Sequence, residues 1–532
     1  MATYYVRKTG NNGNAGTTGS PWLTIAFGMG QLANGDTLIV GDGTYNESGL
    51  AASGSSSGYK TVQAENKWGA IITAPGSGNC FSGTANYLVI DGFKITASLA
   101  HGIEFNDSHH VVIRNVWADG CLNSGISLIY GEFYLIEDCL CTGNAWGGWF
   151  SGISMFQCRA IAADTTPIPG APSGFRIAIR RCECHDNQTY SWLQFDGGSV
   201  EIEVGDVVTG ATSGASGTVG YIDVTGGTWG GGNAVGEVAM YDVTETGFQD
   251  NEQLRVGGVT HAIANGTLTG VHTDGNGIIY DDWQNLQGGT VNYPHAGLIE
   301  DVLSYRNGGK GVQVAWSDNV TVRNVTAAWN SRDGSNDATW DRGEISNQDS
   351  NNSIFVNCIA ITNHHAWTTH GSSRNVAVHF GQAATGCKVR NCLSWTGTPG
   401  QNAVTTNDGG TYTAEGTNLF GTDPELVDID AYDFHPLSGS PVIDAGSDVY
   451  GFADTDIEGT SRTSTTINIG ALEQVDGGGS VGTVSVTTTV AAGGESTAAS
   501  AGSVSMALTV AAVSESAGQA PATFGPFIAS WG

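Results

Sequence analysis

Apolar and polar positions recur along this chain with a period near 23 residues, most plainly between Leu298 and Asn330. Leu298-Ile-Glu-Asp-Val-Leu-Ser and Thr321-Val-Arg-Asn-Val-Thr-Ala are two copies of one phrase, with Ile299 and Val322 23 residues apart and Gly308-Gly309-Lys310-Gly311-Val312 between them. The same phrase recurs as Ile90-Asp91-Gly92, Ile113-Arg114-Asn115-Val116, Ile136-Glu137-Asp138-Cys139, Ile179-Arg180-Arg181-Cys182, Phe355-Val356-Asn357-Cys358 and Val389-Arg390-Asn391-Cys392. A β-branched run, a polar residue and a glycine-marked turn repeating every twenty-odd residues predict a solenoid whose units bury their apolar face only by stacking.

Stacked by unit, the positions form columns. Ile, Val and Phe fill the first, as an inward strand position requires. Two residues on stand Asn115, Asp138, Asp301, Asn324, Asn357 and Asn391. These types tolerate bends, so the column predicts a corner. Small residues follow (Val116, Cys139, Cys182, Val302, Val325, Cys358, Cys392), and helical periodicity nowhere competes. The predicted fold class is all-β, a right-handed single-stranded parallel β-helix with rungs about 4.8 Å apart.

Around this core the texture changes. Residues 1–59 predict a cap and first coil, with a strand at Tyr4 to Arg7 and a short helix between Pro21 and Leu32; a cap is needed because an open end would expose unpaired edges. The β-helix occupies 60–195 and 272–422. Between them, 196–271 reads as an inserted small β module of hairpins with glycine turns. Trp192-Leu-Gln-Phe195 fits either a rung or the stem of that insert. Residues 423–473 form a closing segment. Residues 474–532 hold two copies of a 20-residue phrase rich in Ala, Ser, Thr and Val and predict a low-complexity, β-prone assembly or docking tail.

Composition sharpens this picture in three places. Gly is abundant at 79 and Pro scarce at 12, as many tight turns between short strands demand. A net charge of −31 with only 20 Lys and Arg argues against nucleic acid. Six of the ten cysteines fall in the small inward columns, as compact hydrophobes, with their oxidation state open. No leader peptide and no apolar run long enough to span a bilayer is present.

The string YYV..TG..GN.GT..SPW.TI followed by GDTLIVGDGTY resembles the opening of pectate-lyase-like right-handed parallel β-helix proteins. DFHPLSGSPVIDAG, D.EG..R and NIGALE resemble their closing segment. In the insert, VTGATSGASGTV (208–219) and TGFQDNEQLRVGG (246–258) are similar to a Gly/Thr/Val-rich module of bacteriophage virion proteins. These resemblances imply a tailspike or tail-fibre type of protein on a virion surface or otherwise extracellular. They further imply a homotrimer that binds a cell-surface polysaccharide and contacts other virion proteins through its tail. Two other functions stand beside this one: an extracellular lyase acting on a uronate glycan, and a non-catalytic adhesive protein.

Chemistry is concentrated in His272-Thr-Asp274-Gly-Asn276 through Asp281-Asp282-Trp283 and the loop to His295. Gly277 aligns with Gly311, which sets Asn276 beside Lys310. For β-elimination, acidic groups hold Ca²⁺ on a uronate while a base removes the acidified proton. Asp274, Asp281 and Asp282 are the candidate Ca²⁺ ligands, and Lys310, Arg306 and His272 the candidate catalytic groups. Asn276, Trp283, His295 and Trp316 are candidate substrate contacts. The resemblance of Asp274-Gly to the metal-binding Asp-Gly of calcium-dependent lyases is incomplete, because Asn307-Gly308-Gly309-Lys310 stands where those enzymes carry further carboxylates. The structural alternative is that Asp274 and Asn276 serve turn geometry and Asp281-Asp282 a solvated edge. Hydrolysis needs paired carboxylates, and Asp281 aligns with Ala315. Trp146, Trp149, Trp192, Trp283, Trp316 and Trp340 fall near turns, where each either anchors a loop or offers an indole face to a sugar.

Overall fold

The computed structural model describes residues 1–474 apart from 77, 97, 245, 271–273, 289–290, 333–342, 363–375 and 382. The tail, His272 and Trp340 therefore lie outside the described residues. Strands stack in parallel into a 21-stranded and a nine-stranded sheet, the architecture of a parallel β-helix. Ile90, Ile113, Ile136, Ile179, Ile299, Val322, Phe355 and Val389 pair rung upon rung in a single file. None is more than 1% exposed. These side chains and the small columns beside them form one continuous core along the coil.

The corner file is equally regular. Asn115, Asp138, Asp301, Asn324, Asn357 and Asn391 have φ between 47° and 56°, the left-handed region that short polar side chains tolerate. Arg181 occupies the same position at φ 49°. Its guanidinium binds Asp138 and Glu137 on the rung before it. All ten cysteines are free and buried. Cys139 and Cys358 each donate a thiol hydrogen to a main-chain carbonyl at 3.2 Å, so they pack as small hydrophobes with a satisfied proton.

A second polar file runs inside the coil. Asn144 donates its amide to Asn187 (2.9 Å), Asn187 to Asn307 (2.9 Å), Asn307 to Asn330 (2.8 Å), and Asn330 to the carboxyl group of Glu344 (2.7 Å). Each amide oxygen also accepts the backbone N–H of the preceding member. The buried polar atoms of the turn are thereby paired.

The ends are closed differently. Helix Ile25–Gln31 covers the first rung with Ile25 and Met29, and Glu47 accepts the N–H groups of Ile25 and Ala26 at its start. A Cβ on Gly28 would lie 2.8 Å from a methyl of buried Leu38, so a larger residue there would force Leu38 to move. The closing segment docks on the corner file itself. Asn391 donates to Ala445 O, Asn357 to Ser447 O, and Asn324 to Asn468 O and Gly470 O. Arg462, fully buried, is gripped by Asp301 of the corner and by Glu473. The DIEG..R and NIGALE strings are thus the two halves of a buried ionic clasp.

The insert is a closed six-stranded antiparallel barrel with its own core of Leu193, Phe195, Val208, Val238, Met240 and Leu254. Its first strand is Ser191–Gly198, so Trp192 to Phe195 belong to the barrel and not to a rung. Trp146 of the coil packs against Trp192 and Tyr221 of the barrel. No helix among the described residues is long and apolar enough to cross a membrane.

Candidate functional site

The nine-stranded sheet carries the groove. Its strands alternate strictly, as half-buried strands do. Ile126, Ile153, Ile278, Val312 and Ile345 point inward, and the residues after them point out. One outward file reads Glu104, Ser127, Ser154, Ile279, Gln313, Ser346. The next reads Asn106, Ile129, Phe156, Asp281, Ala315, Gln348. Apolar Ile279 and Phe156 would be misplaced on a flat solvated face. They are accommodated because loops rise on both sides to make a groove of about 630 Å³.

Its walls are aromatic. Trp149, 63% exposed, and Phe150 stand on the loop before strand Ser151–Phe156, and Trp316 follows strand Val312–Ala315. Trp149 and Trp316 are both held in left-handed backbone conformations, φ 61° and 45°. On the floor, Asn276 donates to Gln313 (2.9 Å) and Gln313 to Gln348 (3.1 Å), an amide row crossing three rungs. His101 closes one end, only 9% exposed, its ring edge-on to Phe150 at 5.1 Å. Among the described residues its Nδ1 has no hydrogen-bond partner. Burial lowers its pKa to about 4 against the opposing pull of Glu104, so the imidazole is neutral at neutral pH.

The predicted site residues separate into two groups. Asp274, Asp281 and Trp316 line the groove, with Asn276 fixed beneath through Gln313. Asn276 does lie beside Lys310, but the contact is the Lys310 backbone N–H donating to the Asn276 amide oxygen at 2.8 Å. Lys310 is 2% exposed and is not among the groove's lining residues, so its ammonium is not presented there as a base. Arg306 turns to Asp186 (2.9 Å) and lies over Tyr432, also outside the lining. Trp283 is a core residue, 1% exposed, stacked on Tyr280 and donating to Met155 O. His295 packs by Tyr293, its pKa lowered by burial and by Arg176.

Asp274, Asp281 and Asp282 are not brought together as one set of ligands among the described residues. Asp282 is wholly buried and accepts the N–H groups of Leu286 and Gln287 and the amide of Gln157, which spends it on the turn. Asp274 and Asp281 flank strand Asn276–Asp281, whose five steps alone span about 17 Å. Among the described residues no group of three His, Cys, Asp or Glu converges as a metal site.

Sequence reasoning missed His101, Phe150, Phe156 and the Gln313–Gln348 row as site residues. Phe156 and Gln313 were readable in principle, as outward positions by the two-residue period. His101 carried no such signal.

No family model matches this chain, and no curated protein matches it. Among solved structures it is similar to a pectate lyase at 12% identity, covering 89% of this chain and 96% of that one with a TM-score of 0.41. It is also similar to an alginate lyase from Paenibacillus sp. str. FPU-7 at 12% identity (79% and 95% covered, TM-score 0.38). A glycoside hydrolase is similar at 6% identity (82% and 99% covered, TM-score 0.47).

Proposed function

We propose that this protein binds a polysaccharide chain laid along the groove, across the strands and parallel to the coil axis. One observation carries the reading: an outward sheet face flanked by Trp149, Phe150 and Trp316 and floored with a row of amides. A sugar ring offers an apolar C–H face and a rim of hydroxyls, and aromatic walls with amide and carboxylate partners match both. From His101 to Gln348 the groove crosses six rungs, about 24 Å, enough for several sugars.

Binding is supported better than cleavage. Asp274 precedes and Asp281 ends strand Asn276–Asp281, whose five steps span about 17 Å, against the ~5–9.5 Å that glycoside hydrolysis requires of its carboxylate pair. The two bases expected for β-elimination, Lys310 and Arg306, are not among the groove's described lining residues. We place this activity on a bacteriophage virion of tailspike type, a setting supported by the virion-like strings of the insert.

The test is a fluorescence titration of the full chain with a panel of polysaccharides. Trp149→Ala is expected to weaken binding about tenfold, the loss of one stacking platform. An unchanged affinity in that variant and in Trp316→Ala would put the binding surface elsewhere.

A further inference from the structure

A second concavity, of about 470 Å³, lies over the outer face of the large sheet, whereas the groove belongs to the nine-stranded sheet. Its floor is three side chains in register on successive rungs, Arg180, Glu300 and Arg323. At about 4.8 Å per rung they span about 10 Å along the coil. Two segments far apart in sequence form the walls. One is the loop from Gly170 to Phe175, and the other the stretch from Gly451 to Thr455 in the closing segment.

Both walls are fastened by the floor itself. Arg180 donates to Gly170 O at 3.1 Å, and Arg323 donates to Tyr450 O at 2.9 Å. Gly451, at φ 75°, brings the closing segment close against the Arg323 guanidinium. The cavity is therefore built before a ligand arrives, which spares the cost of ordering loops around one. Its volume falls within the ~300–1,000 Å³ of small-molecule sites.

The chemistry of the lining alternates. Glu300 binds Arg323 at 2.5 Å, and Glu137 binds both Arg180 (2.8 Å) and Arg181 (3.0 Å). Each floor cation thus already holds a carboxylate, and Asp454 stands in the closing-segment wall. An incoming anion would have to compete with these carboxylates and lie beside them. A hydroxyl both donates and accepts, so a polyol fits among alternating guanidinium donors and carboxylate acceptors without displacing either. Ser173 and Thr455 add a hydroxyl from each wall. Half-buried Phe175 and Phe452, again one from each wall, supply aromatic surface for the C–H side of a sugar.

We infer that this cavity is a second saccharide site, separate from the groove, which takes a short chain of uncharged sugars. Saturation-transfer NMR on the full chain tests it, with lactose, maltose, cellobiose and digalacturonate as probes. The Trp149→Ala, Trp316→Ala double variant disables the groove. Ser173→Trp, at an exposed position of one wall, and Ala453→Trp, on the other, each fill the cavity, and urea unfolding midpoints show that each variant folds.

In the double variant at least one neutral disaccharide is expected to keep its signal. Adding Ser173→Trp or Ala453→Trp is expected to weaken its binding about tenfold or more, and digalacturonate is expected to bind more weakly than that sugar. A neutral-sugar signal unchanged in the double variant and lost with either filled cavity supports the second site and counts against the groove. Loss of every neutral-sugar signal in the double variant overturns the second site and leaves the groove standing. A signal that survives Ser173→Trp in the double variant, or no binding of any neutral disaccharide to the parent, also overturns it. Digalacturonate bound at least as tightly as every neutral sugar, and displaced by Ser173→Trp, overturns the preference for uncharged sugars.

Discussion

Arg462 shows how much of this fold hangs on single buried groups. It is fully buried between Asp301 and Glu473, and Arg462→Met would strand two carboxylates in the interior. The expected loss is about 3–5 kcal/mol, read from urea unfolding. Glu344 gives a pH signature. Burial raises its pKa from 4.5 to about 8, although the backbone and side-chain donors of Asn330 pull it down. Between those values the folded chain keeps a proton that the unfolded chain releases. Its contribution to stability is therefore complete below about pH 4.5 and is lost as the pH rises to about 8. Glu344→Gln keeps an oxygen for Asn330 and is expected to flatten the decline of stability between pH 5 and 8, on the order of a few kcal/mol. A decline identical to the parent's would contradict this. At this scale the corner residues were legible, because a left-handed backbone favours Asn, Asp and Gly, with Arg181 the exception in the file. The partner of Arg462 was not, since Asp301 lies 161 residues away and nothing local announces the pairing. Trp283 was misplaced because proximity to a turn does not say which face a side chain takes. It points into the core, whereas Trp316 belongs to the groove.

Two files organise the elements. On the outer face of the large sheet Asp91, Arg114, Glu137, Arg180, Glu300 and Arg323 follow one another in register with alternating sign. Opposite charges meet at each step, as in Arg114–Asp91 (2.9 Å), Arg180–Glu137 (2.8 Å) and Arg323–Glu300 (2.5 Å). A slip of one rung would set like charges together, so the file reinforces register. The asparagine file inside the coil does the same with hydrogen bonds. Asn187→Ala removes a central member and leaves Asn144 and Asn307 facing a gap. The expected cost is about 2–4 kcal/mol, measured by the shift in unfolding midpoint, and a shift within error would mean that water replaces the amide. The rung columns were readable because their period holds near 23. The asparagine file was not, because its members stand 43, 120 and 23 residues apart where a loop and the barrel interrupt the coil.

For the molecule as a whole, the stack and its two closures follow from repetition, whereas the groove depends on loops that obey no repeat. That is why the fold could be read from columns and the aromatic walls could not. The tailspike reading makes a prediction at this scale, a homotrimer of the full chain in sedimentation equilibrium, and a monomer at all concentrations would contradict it. The central claim is about where a glycan lies. Its most direct test is a crystal structure of the full chain soaked with an oligosaccharide cut from a polymer that it binds. The account predicts density running across the rungs over Phe156, Asp281 and Ala315, with sugar faces against Trp149 and Trp316. Density seated instead against the barrel or beside Arg180 and Arg323, with the groove empty, would contradict it.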